Sequence, residues 1–155
     1  LPAPFSIRPF RRDATGDDTE PVVALWRAAG LVVPWNDPYL DIERKLEVQP
    51  ELFLVGEADG RIVATAMIGY DGHRGWVNYL AVDASSRGDG YGRLLMAEAE
   101  RLLVERGCPK LNLQVRSTNS DVIAFYERLG YTDDRVSSLG KRLIPDLPPA
   151  SPPLE

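Results

Sequence analysis

The stretch from Leu80 to Leu95, LAVDASSRGDGYGRLL, is compatible with few folds. An apolar run from Val77 to Val82 stops at Asp83-Ala84-Ser85-Ser86. Arg87-Gly88-Asp89-Gly90-Tyr91-Gly92-Arg93 follows, and a helical pattern begins at once, with apolar residues at Leu94, Leu95, Ala99, Leu102 and Leu103. The order is strand, glycine loop, helix. Glycines at a helix N-terminus let the backbone approach a ligand closely and leave free N–H groups aimed at it. Those donors and the positive end of the helix favour an anion. Arg87 and Arg93 add full charges suited to phosphate oxygens. The spacing is not GxxxxGK[ST], and the third glycine falls one residue early for GxGxxG, so neither a nucleoside-triphosphate loop nor a dinucleotide fingerprint fits. The loop by itself leaves two readings open: an anion cradle, or an ordinary glycine-rich strand-to-helix turn.

With 155 residues the chain is expected to form one domain able to bury a core without disulfides or metals. Hydrophobic residues at 44% and charged residues at 26% indicate a globular chain rather than a disordered one. A net charge of −5 argues against non-specific nucleic-acid binding and is compatible with a cationic acceptor such as an amine. The single cysteine, Cys108, excludes an internal disulfide and suggests a reducing compartment. One His and one Cys are too few for a Cys/His zinc site, so no metal is expected. No apolar run approaches the ~18 residues of a membrane span, and a cytoplasmic protein without membrane contact is the expectation.

From the N-terminus, Phe5 to Phe10 alternates as a short strand with Pro9 near its end, and Arg11 to Asp18 reads as a polar loop. Asp17, Asp18 and Thr19 are N-cap candidates for a helix carrying Val22, Leu25, Trp26 and Ala29 on one face. A two-proline loop, Leu31 to Pro38, leads to a second helix with Asp37 as N-cap and Pro38 at the first helical position. Tyr39, Ile42 and Leu46 form its apolar stripe, and Glu43, Arg44, Lys45 and Glu47 read as its solvated face. Leu52–Ala58 and Arg61–Tyr70 read as strands joined by an Asp59-Gly60 hairpin turn. A wider turn, Asp71 to Gly75, leads to the strand from Trp76 to Val82. After the long helix, Lys110 to Val115 reads as a strand, Asn119 or Ser120 as the cap of a last helix over Val122–Leu129, and Tyr131–Asp134 and Val136–Leu143 as a final pair of strands. Residues 1–4 and 145–155 read as flexible termini around a single domain at 5–144, the second of them a proline-rich tail.

Arg87-x-x-Gly90-x-Gly92 directly after Leu80-Ala81-Val82 resembles the coenzyme A pyrophosphate loop of the GCN5-related N-acetyltransferases. Two further segments are similar to that family: Asn119 at the start of the last helix, and Ala124 to Tyr131, AFYERLGY, which is similar to the family's A-x-x-F-Y-x-x-x-G-F segment. The element order, β-α-α-β-β-β-α-β-α-β-β over Phe5 to Leu143, is also the family's. The resemblance implies an α/β fold with a mixed sheet of about seven strands and about four helices. Within the family, PWNDP at Pro34–Pro38, GYDGHRG at Gly69–Gly75 and SLGKRL at Ser138–Leu143 look like the wording of the YpeA-type subgroup.

The resemblance implies acetyl transfer from acetyl-CoA to a primary amine of a small molecule or of a peptide or protein N-terminus, by direct attack in a ternary complex. Leu80, Ala81 and Val82 would line the pantetheine as an extra strand would, with an N–H near Val82 on the thioester carbonyl. Arg87 and the amides of Gly88, Asp89, Gly90, Tyr91, Gly92 and Arg93 would hold the pyrophosphate, and Asn119 the pantetheine arm. Tyr126 would lie at the sulfur and protonate the departing thiolate; without the resemblance it reads equally as a core aromatic. The proton of the amine needs a base, since a lysine-type amine is neutral only about once in 2,500 molecules at pH 7 and an α-amine about one time in ten. Val77 to Val82 contains no acid. The candidates are Glu57 on the hairpin strand, otherwise a solvated strand-end charge, and His73 in the second hairpin loop, otherwise a surface residue; Asp71 there reads as a turn-former. Trp35, Asn36 and Asp37 fall where the family's acceptor loop lies. The alternative function on the same fold is a non-catalytic acyl-CoA-binding sensor. An edge strand near Val136 to Leu143 suggests a homodimer.

Overall fold

The computed structural model describes residues 4–146. Strand β1 (Phe5–Pro9) is followed by a two-stranded ribbon, β2 (Arg12–Asp13) and β3 (Gly16–Asp17), where the sequence suggested only a loop. Asp13 closes that ribbon by accepting the Thr15 N–H at 2.7 Å. Helices α1 (Thr19–Ala28) and α2 (Pro38–Glu47) come next. Strands β4 (Phe53–Ala58), β5 (Arg61–Tyr70) and β6 (Gly75–Val82) form an antiparallel meander. Helix α3 (Tyr91–Glu105) carries the chain to β7 (Leu111–Asn112), parallel to β6, and α4 (Ser120–Arg128) follows. The central sheet is therefore mixed, with five strands in the order β1-β4-β5-β6-β7.

Strand alternation divides the core between two faces. Phe53 and Val55 point to one face and pack with Val22, Trp26 and Ile42 of α1 and α2. Leu54 points to the other, in the cluster of Leu95, Met96 and Leu103 from α3 and Tyr126 from α4. Fully burying each such side chain contributes ~1.5–3 kcal/mol, which fixes both helix pairs on the sheet.

Three sequence expectations need correction. Tyr131–Asp134 and Val136–Leu143 are not strands: Asp133 accepts the Arg135 N–H at 2.7 Å, Arg135 turns to a φ of 56°, and the chain beyond is irregular. It meets the 110–114 segment through side chains instead, Lys110 to Asp134 at 2.8 Å and Gln114 to Ser138. Among the described residues the central sheet therefore has five strands rather than about seven, and the edge expected to pair two subunits has no strand to carry it. Lys45 is not solvated; it is buried, and its Nζ donates to the Ile68 carbonyl. Asp146 is not free chain, because it is bonded to α2 and to the loop before it (below). The terminal expectations for 1–3 and 147–155 lie outside the described residues.

Candidate active site

Strand β6 is paired along β5 but meets β7 only at Gly75 and Trp76. From Asn78 onward its outer edge has no strand beside it among the described residues. Leu80, Ala81 and Val82 thus keep one row of backbone groups open, a template for an extended ligand. Val82 runs through a short 3-10 turn, Ala84–Ser86, into the glycine loop. Gly88 and Gly90 take φ values of 89° and 82°, which an L side chain rarely adopts, and Gly90 is the N-cap of α3. The first bond that ties α3 to its cap runs from the Leu94 N–H to the Gly90 carbonyl at 3.1 Å. The amides of Gly88, Asp89, Gly90, Tyr91, Gly92 and Arg93 have no acceptor among the described residues. Helix N-termini leave such donors for an anion. Arg87 and Arg93 are exposed on either side.

Side chains packed behind the loop set its position. The ring of Tyr91 is buried and stacks on Phe5 with centroids 4.0 Å apart. A Cβ on Gly92 would stand 3.2 Å from the Phe125 ring, so the missing side chain lets α3 approach α4. On α4, Asn119 is the N-cap and accepts the Val122 N–H at 3.3 Å, which leaves its amide nitrogen free to donate. Tyr126 is buried between Phe125 and Tyr131, and burial pushes its phenol up to about 12. Its hydroxyl bonds to no described residue, yet no buried side-chain polar atom is left sealed without a partner. The hydroxyl therefore opens onto space, protonated throughout the neutral range.

On the other face, β6 carries a bulge. Thr65 pairs with Ala81 and Met67 with Asn78, so Ala66 alone faces Tyr79 and Leu80. Tyr79 occupies the extra position with a φ of 52°. A left-handed non-glycine residue stores strain and needs support. Trp26 stacks on the Tyr79 ring at 3.8 Å. The buried Thr65 hydroxyl accepts the Trp26 Nε1–H at 3.0 Å and donates to the Tyr79 carbonyl at 2.8 Å. The Tyr79 phenol donates to Asp41 Oδ2 at 2.6 Å, and burial together with that carboxylate holds its pKa far above the ordinary phenol range. Asn36 Nδ2 adds bonds to Asp41 Oδ2 at 2.5 Å and to the Tyr79 hydroxyl at 3.0 Å. Asn36, Asp41 and Tyr79 line a cavity of about 480 Å³ that also includes Lys45, Met67 and Asn78. Neither Asp41 nor Tyr79 stood out in the sequence. The cavity is formed by a helix and a strand 38 residues apart, and no local pattern announces it.

Asn36 therefore lines this cavity. Asp37 is the N-cap of α2, accepting the Tyr39 N–H at 2.9 Å, and its own N–H donates to Asp146 at 2.8 Å. Trp35 is exposed on the same loop. Asp146 also receives Arg44 at 2.7 Å and Arg142, and Arg142 donates to Asn36 Oδ1 at 3.1 Å. These donors hold the Asp146 carboxyl well below the usual carboxylate range. The two base candidates lie elsewhere. Glu57 accepts Arg8 at 2.6 Å, beside an Arg8–Asp18 pair at 2.7 Å, and β5 separates it from β6. His73 is exposed in the β5–β6 hairpin, at the far end of β6 from the glycine loop, about 23 Å away along the strand. Asp71 is the turn-former, accepting the His73 and Arg74 N–H groups at 2.8 and 2.7 Å. Among the described residues no helix is long and apolar enough to cross a membrane, and no group of three or more His, Cys, Asp or Glu could hold a metal.

Residues 19–131 match the model of the Acetyltransferase (GNAT) family. An acetyltransferase of Yersinia pestis (strain Pestoides F) is 52% identical over 142 residues, covering 92% of this chain and 98% of the relative. An acetyltransferase of Sodalis glossinidius is 51% identical over 143 residues, with the same coverage. Among solved structures, the ribosomal-protein alanine N-acetyltransferase of Escherichia coli superposes with a TM-score of 0.66 at 25% identity, over 82% of this chain and 77% of that one. AAC(6')-Iy, solved with the bisubstrate analogue CoA-S-monomethyl-acetylneamine, superposes with a TM-score of 0.72 at 20% identity, over 91% of this chain and all of that one, a likeness of fold. The chain belongs to the acetyltransferase (GNAT) family and is an acetyltransferase.

Proposed function

We propose that this protein transfers the acetyl group of acetyl-CoA to a primary amine by direct attack in a ternary complex, in the cytoplasm and as a member of the YpeA-type subgroup. The observation that carries the reading is the juxtaposition at β6. An open backbone edge at Leu80–Val82 leads into six unpartnered amides at Gly88–Arg93, and a polar cavity adjoins the same strand at its bulge. The loop amides, Arg87 and Arg93 take the pyrophosphate. The strand edge takes the pantetheine, with the free Asn119 amide beside it. A backbone N–H at Val82 polarises the thioester carbonyl.

The amine enters from the cavity and attacks the carbonyl carbon. A C–N bond forms, the C–S bond breaks, and CoA leaves as the thiolate. Asp41, rather than Glu57 or His73, takes the amine proton, because it is the carboxylate that lines the cavity. Tyr126 returns a proton to the sulfur. A phenol at about 12 is a weak acid for this purpose, so Tyr126 contributes about 10-fold to 100-fold.

The test is free-thiol release from acetyl-CoA with polyamines, aminoglycosides, amino acids and short peptides with free N-termini. Turnover with one class establishes the reading. CoA binding without turnover on any amine would favour the sensor, and no CoA binding would refute both.

A further inference from the structure

Asp41 and Lys45 stand four residues apart on α2, acid before base, at the spacing and in the order that favour an ion pair on a helix. They do not form one. Asp41 accepts Tyr79, Asn36 and, at 3.2 Å, Arg44. Lys45 donates instead to the Ile68 carbonyl. Both residues line the same cavity of about 480 Å³. An ionised carboxylate offers about four acceptor positions and an ammonium three donors. Asp41 has one position left, and Lys45 has two donors left among the described residues.

Lys45 is the more telling of the two. It is 8% exposed and has no carboxylate within salt-bridge distance among the described residues. Glu51 acts on it through space, but the Glu51 carboxylate is bonded to Arg106 at 3.1 Å. Burial draws the lysine pKa below its ordinary value. A buried cation with no anion against it is costly unless one arrives.

We propose that the acceptor is a small zwitterion, an α-amino acid or a close analogue, whose amine faces Asp41 and whose carboxylate faces Lys45. One helical turn, about 6 Å between the two attachment points, spans an ammonium and a carboxylate on one carbon once the two side chains converge. The cavity lies in the usual range for small-molecule sites. The inference rests on the amine-acetylation reading above.

The experiment compares each α-amino acid with its own α-amide and its decarboxylated amine in the acetyl-CoA thiol-release assay. The wild type is expected to prefer the acid about 10-fold or more in kcat/KM over its amide, since a site built for a charged group rejects the analogue lacking it. K45M is expected to bring that ratio toward one by raising KM for the acid, and K45R to retain it. CoA affinity and circular dichroism of K45M report whether it folds; should it not, the wild-type ratio and K45R still decide. A wild type that treats acid and amide alike, or prefers the amide or a polyamine, overturns the zwitterion while the amine reading stands. So does a K45M that folds and keeps the preference. If no amine is acetylated while CoA binds, the amine reading fails first and takes this inference with it.

Discussion

Replacing Thr65 by Val removes the oxygen that ties Trp26 to the Tyr79 bulge and little else. The side chain is fully buried, and valine matches its shape. The hydroxyl serves two partners, accepting from Trp26 at 3.0 Å and donating to the Tyr79 carbonyl at 2.8 Å. Trp26 is itself fully buried, so its indole N–H would have no solvent to turn to. Leaving a buried donor or acceptor unpaired costs ~1–3 kcal/mol per group. The Tyr79 carbonyl belongs to a half-buried residue and recovers part of its share from water. The total is therefore about 2–4 kcal/mol, a large fraction of the ~5–15 kcal/mol of a typical domain. In urea, with a slope of about 2 kcal/mol per molar, the midpoint should fall by about 1–2 M with the slope unchanged. The bulge loses its anchor as well, so KM for the amine should rise more than KM for acetyl-CoA. A midpoint shift equivalent to under about 0.5 kcal/mol, the scatter of ordinary surface substitutions, would refute the role given to Thr65.

Gly56→Ala would place a Cβ 2.5 Å from the Phe5 ring, which stacks on Tyr91 at the start of α3. A loss of about 1–3 kcal/mol in thermal unfolding is expected, with weaker CoA binding by titration calorimetry. Burial raises the folded-state phenol of Tyr126 above its unfolded value, so its stabilisation is complete below about pH 10 and declines as pH rises toward about 12. The stability difference between wild type and Y126F, followed by urea unfolding, should fall by roughly 2–3 kcal/mol across that window. Asp146 has the opposite sign: its folded pKa is depressed, so its contribution is present above the ordinary carboxylate range and disappears as pH falls through the lower folded value. Hydrogen exchange at the Asp37 amide should accelerate in D146A, which removes the acceptor, and a rate equal to wild type would contradict the contact.

Local chemistry was legible where one segment decides the outcome. Asp37-Pro38 starts α2 as its cap and first residue, Gly90 caps α3, and Asp59-Gly60 turns the hairpin with both residues at positive φ. The conformation of the glycine loop was legible because it depends on consecutive residues, with Gly88 and Gly90 at positive φ directly before α3. Lys45 could not, because its polarity says solvent while the fold lays α2 over Ile68. Asp41 lies outside the apolar stripe of α2, and only the fold brings Tyr79 of β6 to it. The bulge that presents Tyr79 is a mismatch between strands and has no signature in either one. The C-terminal expectation failed for a related reason. Val136 to Leu143 has strand-like composition, but the Asp133 turn and the two-residue length of β7 leave it nothing to pair with. The Asp146 contacts join residues 102 and 109 positions apart, beyond any pattern in the chain.

Hydrogen exchange by mass spectrometry with CoA, ATP or NAD added separately tests the central claim most directly. The account predicts that CoA, and neither nucleotide, slows exchange at Leu80–Val82 and at Gly88–Arg93 together, since one ligand spans the open edge of β6 and the amides before α3. Protection of the loop by all three nucleotides alike, or CoA protection elsewhere with both segments unchanged, would contradict it.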